Sequence, residues 1–452
     1  MIYYLWFYYK FNRSGELKLS KRNILKSLSL SIALALATPF VSNVCVKNVY
    51  ASESKPSIVS EAAIVLNYDT GEIVYEKNAN QKMYLASTSK LMTAILFAEN
   101  KEKTDTLTYS EDAKAQPPYT IDSEQMKPYG KSMNVGDTLD ADTVMKELLL
   151  FSGNDAAYMV ADNVCKTTDE FVEKMNSKAK DLGLTNTHFE NPNGLPNNGH
   201  DVNYSTAYEL ALITKEAYKN DWIKKTMALD KAQVTLPGNT NVTIENRNTE
   251  LGKNGNLGGK TGVTDEAGTC FAGIYERDGQ KYIGVVLKCD RNDNNKRFED
   301  LDSMMDYSES ADKVTVIKSG KKVSSVNLEY KLFRFFGPTK TIKADVVLGE
   351  DVKLYDNEIN SSEVKVTFNT KDTNAWTVAS DNNTNLTAKV KQFSTKVKGE
   401  VKITTLEIVK ANVGVYIATL VAIVIIITLI VFIIKLISNA KRNSSRRKRR
   451  RY

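Results

Sequence analysis

The sequence predicts an α+β region, built from an antiparallel sheet and helices, followed by a small all-β domain and a C-terminal transmembrane helix. Residues 60 to about 310 mix strand-like and helix-like hydrophobic patterns, whereas residues about 312 to 405 show alternating apolar runs with Gly and Asn turns. Residues 412–434 carry no charge and are dominated by Ile, Val, Leu and Ala. A helix rising about 1.5 Å per residue needs roughly this length to cross a bilayer. The chain therefore divides into a leading segment (1–51), the α+β region (52–310), the all-β domain (311–405), the transmembrane helix (412–434) and a basic tail (435–452).

The first 51 residues predict an export signal rather than folded protein. Four basic residues between positions 18 and 26 precede an apolar run from Leu28 to Val41. Val49-Tyr50-Ala51 then supplies small residues at the expected cleavage positions.

The α+β region opens with a predicted hairpin and then a helix. The apolar run Ala62–Leu66 and the run Glu72–Tyr75 flank a turn at Asp69-Thr70-Gly71. From Ser87, apolar residues repeat at spacings of three and four, which indicates an amphipathic helix with Ser87 as its cap.

Further along, the pattern predicts a helix over 142–151, a break at Ser152-Gly153-Asn154, and a second helix over 155–163. The break places Ser152 and Asn154 at a corner. Residues 269–277 and 281–289 predict two strands paired about Asp278-Gly279, and residues 297–307 predict a helix.

The second region reads as strands throughout. Alternating apolar runs occur at Val314–Ile317, Val346–Leu348 and Val364–Phe368. Because it offers no cluster of catalytic side chains, we assign it as a spacer or docking module.

The formal net charge of +7 is concentrated at the two ends of the chain. Residues 435–452 contribute nine basic residues and no acidic one, and residues 1–51 contribute seven basic residues and one acidic one. Removing this excess of fifteen positive charges leaves the middle of the chain near −8. The basic tail therefore indicates membrane topology, with the tail in the cytoplasm and the rest outside, and it argues against a nucleic-acid partner.

Cysteine and histidine usage excludes two other classes of protein. Three cysteines remain after Cys45 leaves with the signal, which is no disulfide framework. Cys270 and Cys289 lie on the two strands predicted to pair, and we interpret them as buried small hydrophobes, with a disulfide as the alternative. The two histidines, His188 and His200, are too few for a zinc peptidase.

Three short motifs carry the chemistry. Ser87-Thr88-Ser89-Lys90 places a hydroxyl nucleophile one helical turn from an amine. Ser152-Gly153-Asn154 adds a second hydroxyl beside a carboxamide, and Lys260-Thr261-Gly262 adds a cation on or just before a strand. A serine hydroxyl needs a base to remove its proton, so Lys90 must be partly neutral, through burial or through repulsion from Lys260.

In order and context, these motifs resemble the serine-type D-alanyl-D-alanine carboxypeptidases, the low-molecular-mass penicillin-binding proteins of peptidase family S11. The resemblance covers about residues 60 to 310. It implies a β-lactamase/transpeptidase-like catalytic domain with no cofactor and no metal. It also implies removal of the terminal D-Ala from peptidoglycan stem pentapeptides through an acyl-enzyme on Ser87, with β-lactams as inhibitors.

The resemblance also implies roles for the other motif residues. Lys90 accepts the Ser87 proton, Ser152 relays a proton to the leaving amine, and Asn154 holds the substrate backbone. The backbone N–H groups of Ser87 and Val263 hold the oxyanion. The terminal carboxylate of the substrate meets a further set of residues, namely Lys260, Thr261 and Arg297, while Gly262 leaves room along the strand.

Three alternatives stay open at this point. A β-lactamase of the same fold would need a carboxylate to activate the deacylating water, and Glu190 is the candidate in the loop 186–203. A D,D-transpeptidase would use an amine in place of water. A catalytically silent, membrane-anchored cell-wall binding protein would keep the fold alone.

Overall fold

The computed structural model describes residues 54–117, 120–121, 132–196, 202–368 and 374–449. The predicted export signal and His200 lie outside the described residues. The boundaries predicted for the domains remain predictions.

The strands, in chain order, are β1 (Ala62–Asn67), β2 (Ile73–Lys77), β3 (Met83–Tyr84), β4 (Thr106–Thr108), β5 (Thr138–Asp140), β6 (Tyr204–Ser205), β7 (Lys231–Leu236), β8 (Thr240–Glu245), β9 (Asn256–Thr264), β10 (Gly268–Arg277), β11 (Gln280–Cys289), β12 (Lys313–Ile317), β13 (Lys322–Lys331), β14 (Thr339–Leu348), β15 (Val352–Tyr355), β16 (Lys365–Phe368), β17 (Asn383–Val390) and β18 (Phe393–Lys402).

The α-helices are α1 (Lys90–Asn100), α2 (Glu111–Lys114), α3 (Ala141–Lys146), α4 (Asn154–Val164), α5 (Thr168–Asp181), α6 (Ala207–Lys219), α7 (Asp221–Met227), α8 (Lys296–Ser310), α9 (Glu358–Glu363), α10 (Ala375–Ser380), α11 (Thr405–Lys410) and α12 (Val413–Arg449). A 3₁₀ turn, Ala86–Ser89, precedes α1, and a π-helical turn, Glu147–Phe151, follows α3.

A five-stranded antiparallel sheet in the order β2-β1-β11-β10-β9 forms the centre of the α+β region. Strand β1 is apolar at consecutive positions because both of its faces are buried. Ile64 and Leu66 join the core shared with the helices α1, α4 and α6, while Val65 packs on the opposite face with α8. The predicted hairpin and the mixed helix-and-sheet architecture are confirmed.

The predicted pairing of the strands around residues 269–289 is also confirmed. Strands β10 and β11 are antiparallel and turn at Asp278-Gly279, where both residues have positive φ angles of 49° and 72°. Cys270 and Cys289 are buried and free, and burial raises the pKa of the Cys270 thiol to about 11. These observations support the interpretation of both residues as buried small hydrophobes.

Residues 313–402, called the β region below, contain a second five-stranded antiparallel sheet in the order β13-β14-β18-β17-β16. The expectation of strands throughout is wrong at two places, because α9 and α10 interrupt them. Each helix begins after an asparagine whose side chain accepts backbone N–H groups of the first turn, namely Asn357 and Asn374. This capping favours helix where apolar alternation is weak.

The β region contacts the central sheet at strand β2. The side-chain amides of Asn357 and Asn360 donate to the Ile73 carbonyl at 3.0 and 2.9 Å. Lys313 and Glu72 form an ion pair at 2.8 Å. These contacts join the β region to the sheet that also contains β9.

Within the described residues, one helix is long and apolar enough to cross a membrane. It lies at Val413–Ser445, inside α12, and its most apolar stretch has a mean hydropathy of 3.4 with none of its surface buried. The prediction of a transmembrane segment over 412–434 agrees with this position.

Candidate active site

Ser87 lies in the 3₁₀ turn rather than at the cap of an α-helix, so the predicted capping role is wrong. The turn arises because Ala86 takes a positive φ of 47° and the Thr88 backbone N–H and hydroxyl both bond to the Leu85 carbonyl, at 3.2 and 2.6 Å. Helix α1 then begins at Lys90. The tight turn still places the side chains of Ser87 and Lys90 next to each other.

The amine of Lys90 is the centre of the site. Lys90 is fully buried, and its Nζ donates to Ser87 Oγ at 2.9 Å, to Asn154 Oδ1 at 3.0 Å and to the Asn193 carbonyl at 2.9 Å. These three acceptors hold the nitrogen at the distance that proton transfer from the serine requires.

The Asn193 carbonyl is a site component that the sequence analysis missed. It lies in the loop 186–203, which the sequence analysis considered only for Glu190, although this loop closely meets the 3₁₀ turn that carries Ser87. Gly194 has a φ of 87°, and a Cβ there would lie 1.9 Å from the Ala86 carbonyl oxygen. An Asn-Gly pair in a loop signals a positive φ, but its position beside Lys90 comes only from tertiary packing.

The second motif forms the corner that was predicted. The π-helical turn ends at Ser152, which takes a left-handed conformation with φ 72°, and α4 starts at Asn154. The break directs both side chains toward the first motif, since Asn154 accepts from Lys90 and Ser152 lines the same cleft as Ser87.

The third motif lies inside strand β9. Lys260 is 1% exposed, and its Nζ donates to Ser152 Oγ at 2.8 Å and to the Thr261 carbonyl at 3.0 Å. Register with β10 pairs Lys260 with Ala272 and Gly262 with Cys270. Lys260 is therefore hydrogen-bonded to the Ser152 hydroxyl of the second motif, just as Lys90 is hydrogen-bonded to the Ser87 hydroxyl of the first.

Gly262 allows strand β9 to approach the 3₁₀ turn that carries Ser87. A Cβ at this position would lie 2.9 Å from the Leu85 carbonyl oxygen and 3.1 Å from the backbone nitrogen of Ser87. Any larger residue would push the two elements apart. Because Val263 follows directly, the backbones of Ser87 and Val263 border the same space.

The cleft between these elements has a volume of about 900 Å³. Most of the predicted site residues line it, namely Ser87, Ser152, Asn154, Thr261, Gly262, Val263 and Arg297. Lys90 and Lys260 lie behind this surface, buried and bonded to Ser87 and Ser152.

Among the arginines that line the cleft, Arg297 and Arg247 come from different elements. Arg297 lies in the first turn of α8 and is 5% exposed, and its Nε and Nη1 have no hydrogen-bond partner among the described residues. Arg247 follows β8, and the central carbon of its guanidinium lies 4.9 Å from the centroid of the Phe151 ring. The sequence analysis missed Arg247, because it belongs to no motif and reaches the cleft only through folding.

Burial lowers the pKa of Lys90 to about 7, and the nearby carboxylate of Asp155 opposes that shift. The pKa of Lys260 is also lowered well below its usual value, first by burial and then by repulsion from Lys90 and from the two arginines. Of the two causes considered from the sequence, burial therefore makes Lys90 partly neutral at pH 7.

We expect acylation by a penicillin to depend on pH through Lys90. Only the neutral amine accepts the serine proton, so the rate should rise with pH up to about 7 and then level off. Below that pH it should fall about tenfold per unit. Stopped-flow labelling with a fluorescent penicillin measures this profile, and a rate that keeps climbing toward the usual lysine pKa of about 10.4 would contradict it.

Comparison with known proteins agrees with this geometry. The family model described as D-alanyl-D-alanine carboxypeptidase matches residues 49–291, which is more than half of the chain. The chain belongs to the D-alanyl-D-alanine carboxypeptidase family. The three motifs lie inside the matched range, whereas Arg297 and the β region lie beyond it.

Relatives within the D-alanyl-D-alanine carboxypeptidase family each match about half of the chain. A carboxypeptidase of Bacillus subtilis strain 168 is 32% identical over 232 residues, which are 50% of this chain and 57% of the relative. One from Streptomyces sp. strain K15 is 34% identical over 247 residues, which are 52% of this chain and 82% of the relative. The chain thus spans little more than half the length of the Bacillus relative.

Solved structures support the fold of the family. A D-alanyl-D-alanine carboxypeptidase from Mycobacterium tuberculosis H37Rv is 25% identical with a TM-score of 0.52, and the match covers 58% of this chain and 96% of that protein. A penicillin-binding protein homologue from the same organism gives the same TM-score at 24% identity. The predicted penicillin-binding-protein fold is confirmed.

Proposed function

We propose that this chain is a serine D-alanyl-D-alanine carboxypeptidase that removes the terminal D-Ala from peptidoglycan stem pentapeptides and is inhibited by β-lactams. The observation that carries the proposal is the 2.9 Å hydrogen bond from the buried Lys90 amine to Ser87 Oγ. Family membership makes the acyl-transfer reaction the expected use of that pair.

Acylation begins when Ser87 Oγ attacks the carbonyl carbon between the two D-alanines. The hydroxyl proton passes to the neutral Nζ of Lys90, and the carbonyl oxygen becomes an oxyanion. The backbone N–H groups of Ser87 and Val263 hold that oxyanion, which is worth a few kcal/mol per donor. The close approach of β9 at Gly262 supports this arrangement.

The leaving amine takes its proton from Ser152, and Ser152 recovers a proton from the protonated Lys90, which is then neutral again. Lys260 donates to Ser152 Oγ at 2.8 Å, so the hydroxyl proton is free to point toward the departing nitrogen. The C–N bond then breaks and D-Ala leaves, while the Asn154 carboxamide holds the peptide backbone. Water next attacks the Ser87 ester. Lys90 takes a proton from that water and returns it to Ser87 Oγ as the ester bond breaks and the shortened peptide is released.

Arg297 binds the terminal carboxylate in this proposal, together with Lys260 and Thr261. Arg297 lines the cleft and keeps two guanidinium nitrogens without a partner among the described residues, which supports this role because a carboxylate accepts charge-assisted hydrogen bonds from such donors. Burial lowers the pKa of Arg297 to about 10, so the side chain stays charged at neutral pH.

We expect Arg297→Ala to lower kcat/KM for a peptide ending in D-Ala-D-Ala far more than for its C-terminal amide. A lost charge-assisted bond of about 1.5–3 kcal/mol corresponds to roughly 10- to 150-fold. Arg291→Ala is the control, since Arg291 lines the same cleft but is half exposed and paired with Asp265. Equal losses on the acid and the amide would contradict the role of Arg297.

The β-lactamase alternative requires a carboxylate near the acyl-enzyme, and Glu190 does not line the cleft. Its carboxylate bonds instead to Nε2 of His188 at 2.6 Å, on the exposed side of the loop. The silent-protein alternative is disfavoured because the hydroxyls of Ser87 and Ser152 each accept a hydrogen bond from a buried lysine amine.

The same proposal places the catalytic region outside the cytoplasmic membrane. Helix α12 would anchor it as a single span, with the basic residues after position 434 on the cytoplasmic side, where Lys and Arg accumulate. Protease added to intact cells should then remove the catalytic region but leave a tag placed after the helix protected.

The function is tested by incubating the purified chain with a D-Ala-D-Ala pentapeptide and with penicillin. Steady release of D-Ala, together with a slowly hydrolysed penicillin adduct, is the expected result. Rapid turnover of penicillin without release of D-Ala would favour a β-lactamase, and transfer to an added amine in place of hydrolysis would favour a transpeptidase.

A further inference from the structure

The turn between β13 and β14 exposes two phenylalanine rings beside the start of the apolar helix. Phe335 is 83% exposed and Phe336 67% exposed. Residues 332–338, called the aromatic turn below, have the sequence Leu-Phe-Arg-Phe-Phe-Gly-Pro. Clustered apolar exposure of this kind marks a surface that meets another apolar phase.

Backbone hydrogen bonds hold the aromatic turn in place. The Leu332 N–H donates to the Pro338 carbonyl, and the Phe333 N–H donates to the Phe336 carbonyl, each at 3.1 Å. The rings of Phe333 and Phe336 stack with their centroids 5.1 Å apart. The turn therefore presents its rings outward as part of a defined structure.

The aromatic turn packs against the first turn of α12. The hydroxyl of Tyr416 donates to the Leu332 carbonyl at 2.6 Å, and the rings of Phe333 and Tyr416 meet edge to face at 5.7 Å. Because Tyr416 follows the helix start at Val413 by one turn, the aromatic turn is level with the entry of the helix.

The entry of the helix is itself tied to the β region. Asn412 is 3% exposed, and its amide donates to the Tyr330 hydroxyl at 2.7 Å and to the Ile408 carbonyl at 2.8 Å. The side-chain oxygen Oδ1 of Asn412 accepts a hydrogen bond from Lys340 Nζ at 2.8 Å. A helix fixed in this way sets the direction of the aromatic turn relative to the helix axis.

Charge around the aromatic turn suits a lipid surface. Residues 331–344 contain four basic side chains and no acidic one. The guanidinium of Arg334 lies 5.5 Å from the Phe335 ring centroid, so cation and aromatic ring share one exposed tip. Aromatic rings accumulate at the bilayer interface, and anionic headgroups attract nearby basic side chains.

We infer that the aromatic turn inserts into the headgroup region of the leaflet that α12 enters, as a second membrane contact beside the helix. Two contacts restrict the tilt of the β region, and its bonds to β2 pass that restriction to the catalytic sheet. The inference rests on the membrane anchoring proposed above and is independent of the catalytic activity.

Tryptophan quenching in lipid nanodiscs tests this contact with the full chain. Phe335→Trp reports the aromatic turn, and Ile425→Trp reports the middle of the apolar helix. Val314→Trp, on the exposed side of β12, is the matched control in the β region. Wild-type protein supplies the background of the native tryptophans. The quenchers are phosphatidylcholines brominated either near the headgroup or near the end of the acyl chain.

The expected result is a loss of emission from F335W that is larger with bromine near the headgroup, and a loss from I425W that is larger with bromine near the chain end. V314W should lose no more emission than wild type. Quenching of I425W while F335W matches V314W would overturn the inference and leave the anchor intact. No quenching of I425W would overturn both the anchor and the inference.

Discussion

Replacing Ser87 by alanine is expected to abolish covalent labelling of the chain by penicillin and to lower D-Ala release by a factor on the order of 10⁶. The substitution removes the oxygen that forms the acyl-enzyme while leaving the Lys90 amine bonded to Asn154 and Asn193. Mass spectrometry of the intact protein after exposure to penicillin, with the modified peptide mapped, measures the adduct.

Ser89→Ala is the matched control for this experiment. Ser89 lies in the same 3₁₀ turn, and its buried hydroxyl has no hydrogen-bond partner within the described residues. It should label to full stoichiometry. An adduct that persists in Ser87→Ala would show that another residue is the nucleophile.

Replacing Lys90 by methionine is expected to lower the acylation rate by about 10²–10⁴. Methionine fills much of the buried space but accepts no proton from Ser87. The lost donor also serves the Asn193 carbonyl, so we expect a loss of stability of about 1–3 kcal/mol. Stopped-flow acylation and thermal unfolding measure the two effects separately.

Lys90→Arg separates the role of a base from the role of a charge. Arginine keeps the positive charge and the ability to donate, but its guanidinium does not lose a proton near neutral pH. If Lys90 acts as the base, K90R should be as slow as K90M. Acylation of K90R near the wild-type rate would show that the cation, rather than proton transfer, is what the site requires.

Much of the site was predictable because its residues lie in short local motifs. Ser87 and Lys90 are three residues apart, and Ser152 and Asn154 flank a break between two helical patterns, so sequence spacing alone places each pair together. The apolar runs of β1, β10 and β11 were equally clear, because strands buried on both faces are apolar at successive positions.

Other parts of the site depend on contacts between distant segments. The Asn193 carbonyl reaches Lys90 across 103 positions of sequence, and Arg247 reaches the cleft without any motif of its own. The helices α9 and α10 were missed in the β region because asparagine caps compete with a weak strand pattern.

The sequence by itself determined the family, the order of the three motifs and the position of the apolar helix, because each depends on residue type and local spacing. Only the tertiary structure decided that burial lowers the pKa of Lys90, that Gly262 lets β9 approach Ser87, and that the aromatic turn lies level with the helix entry. Burial and close approach are properties of packed elements, and packing joins residues that the linear sequence keeps far apart.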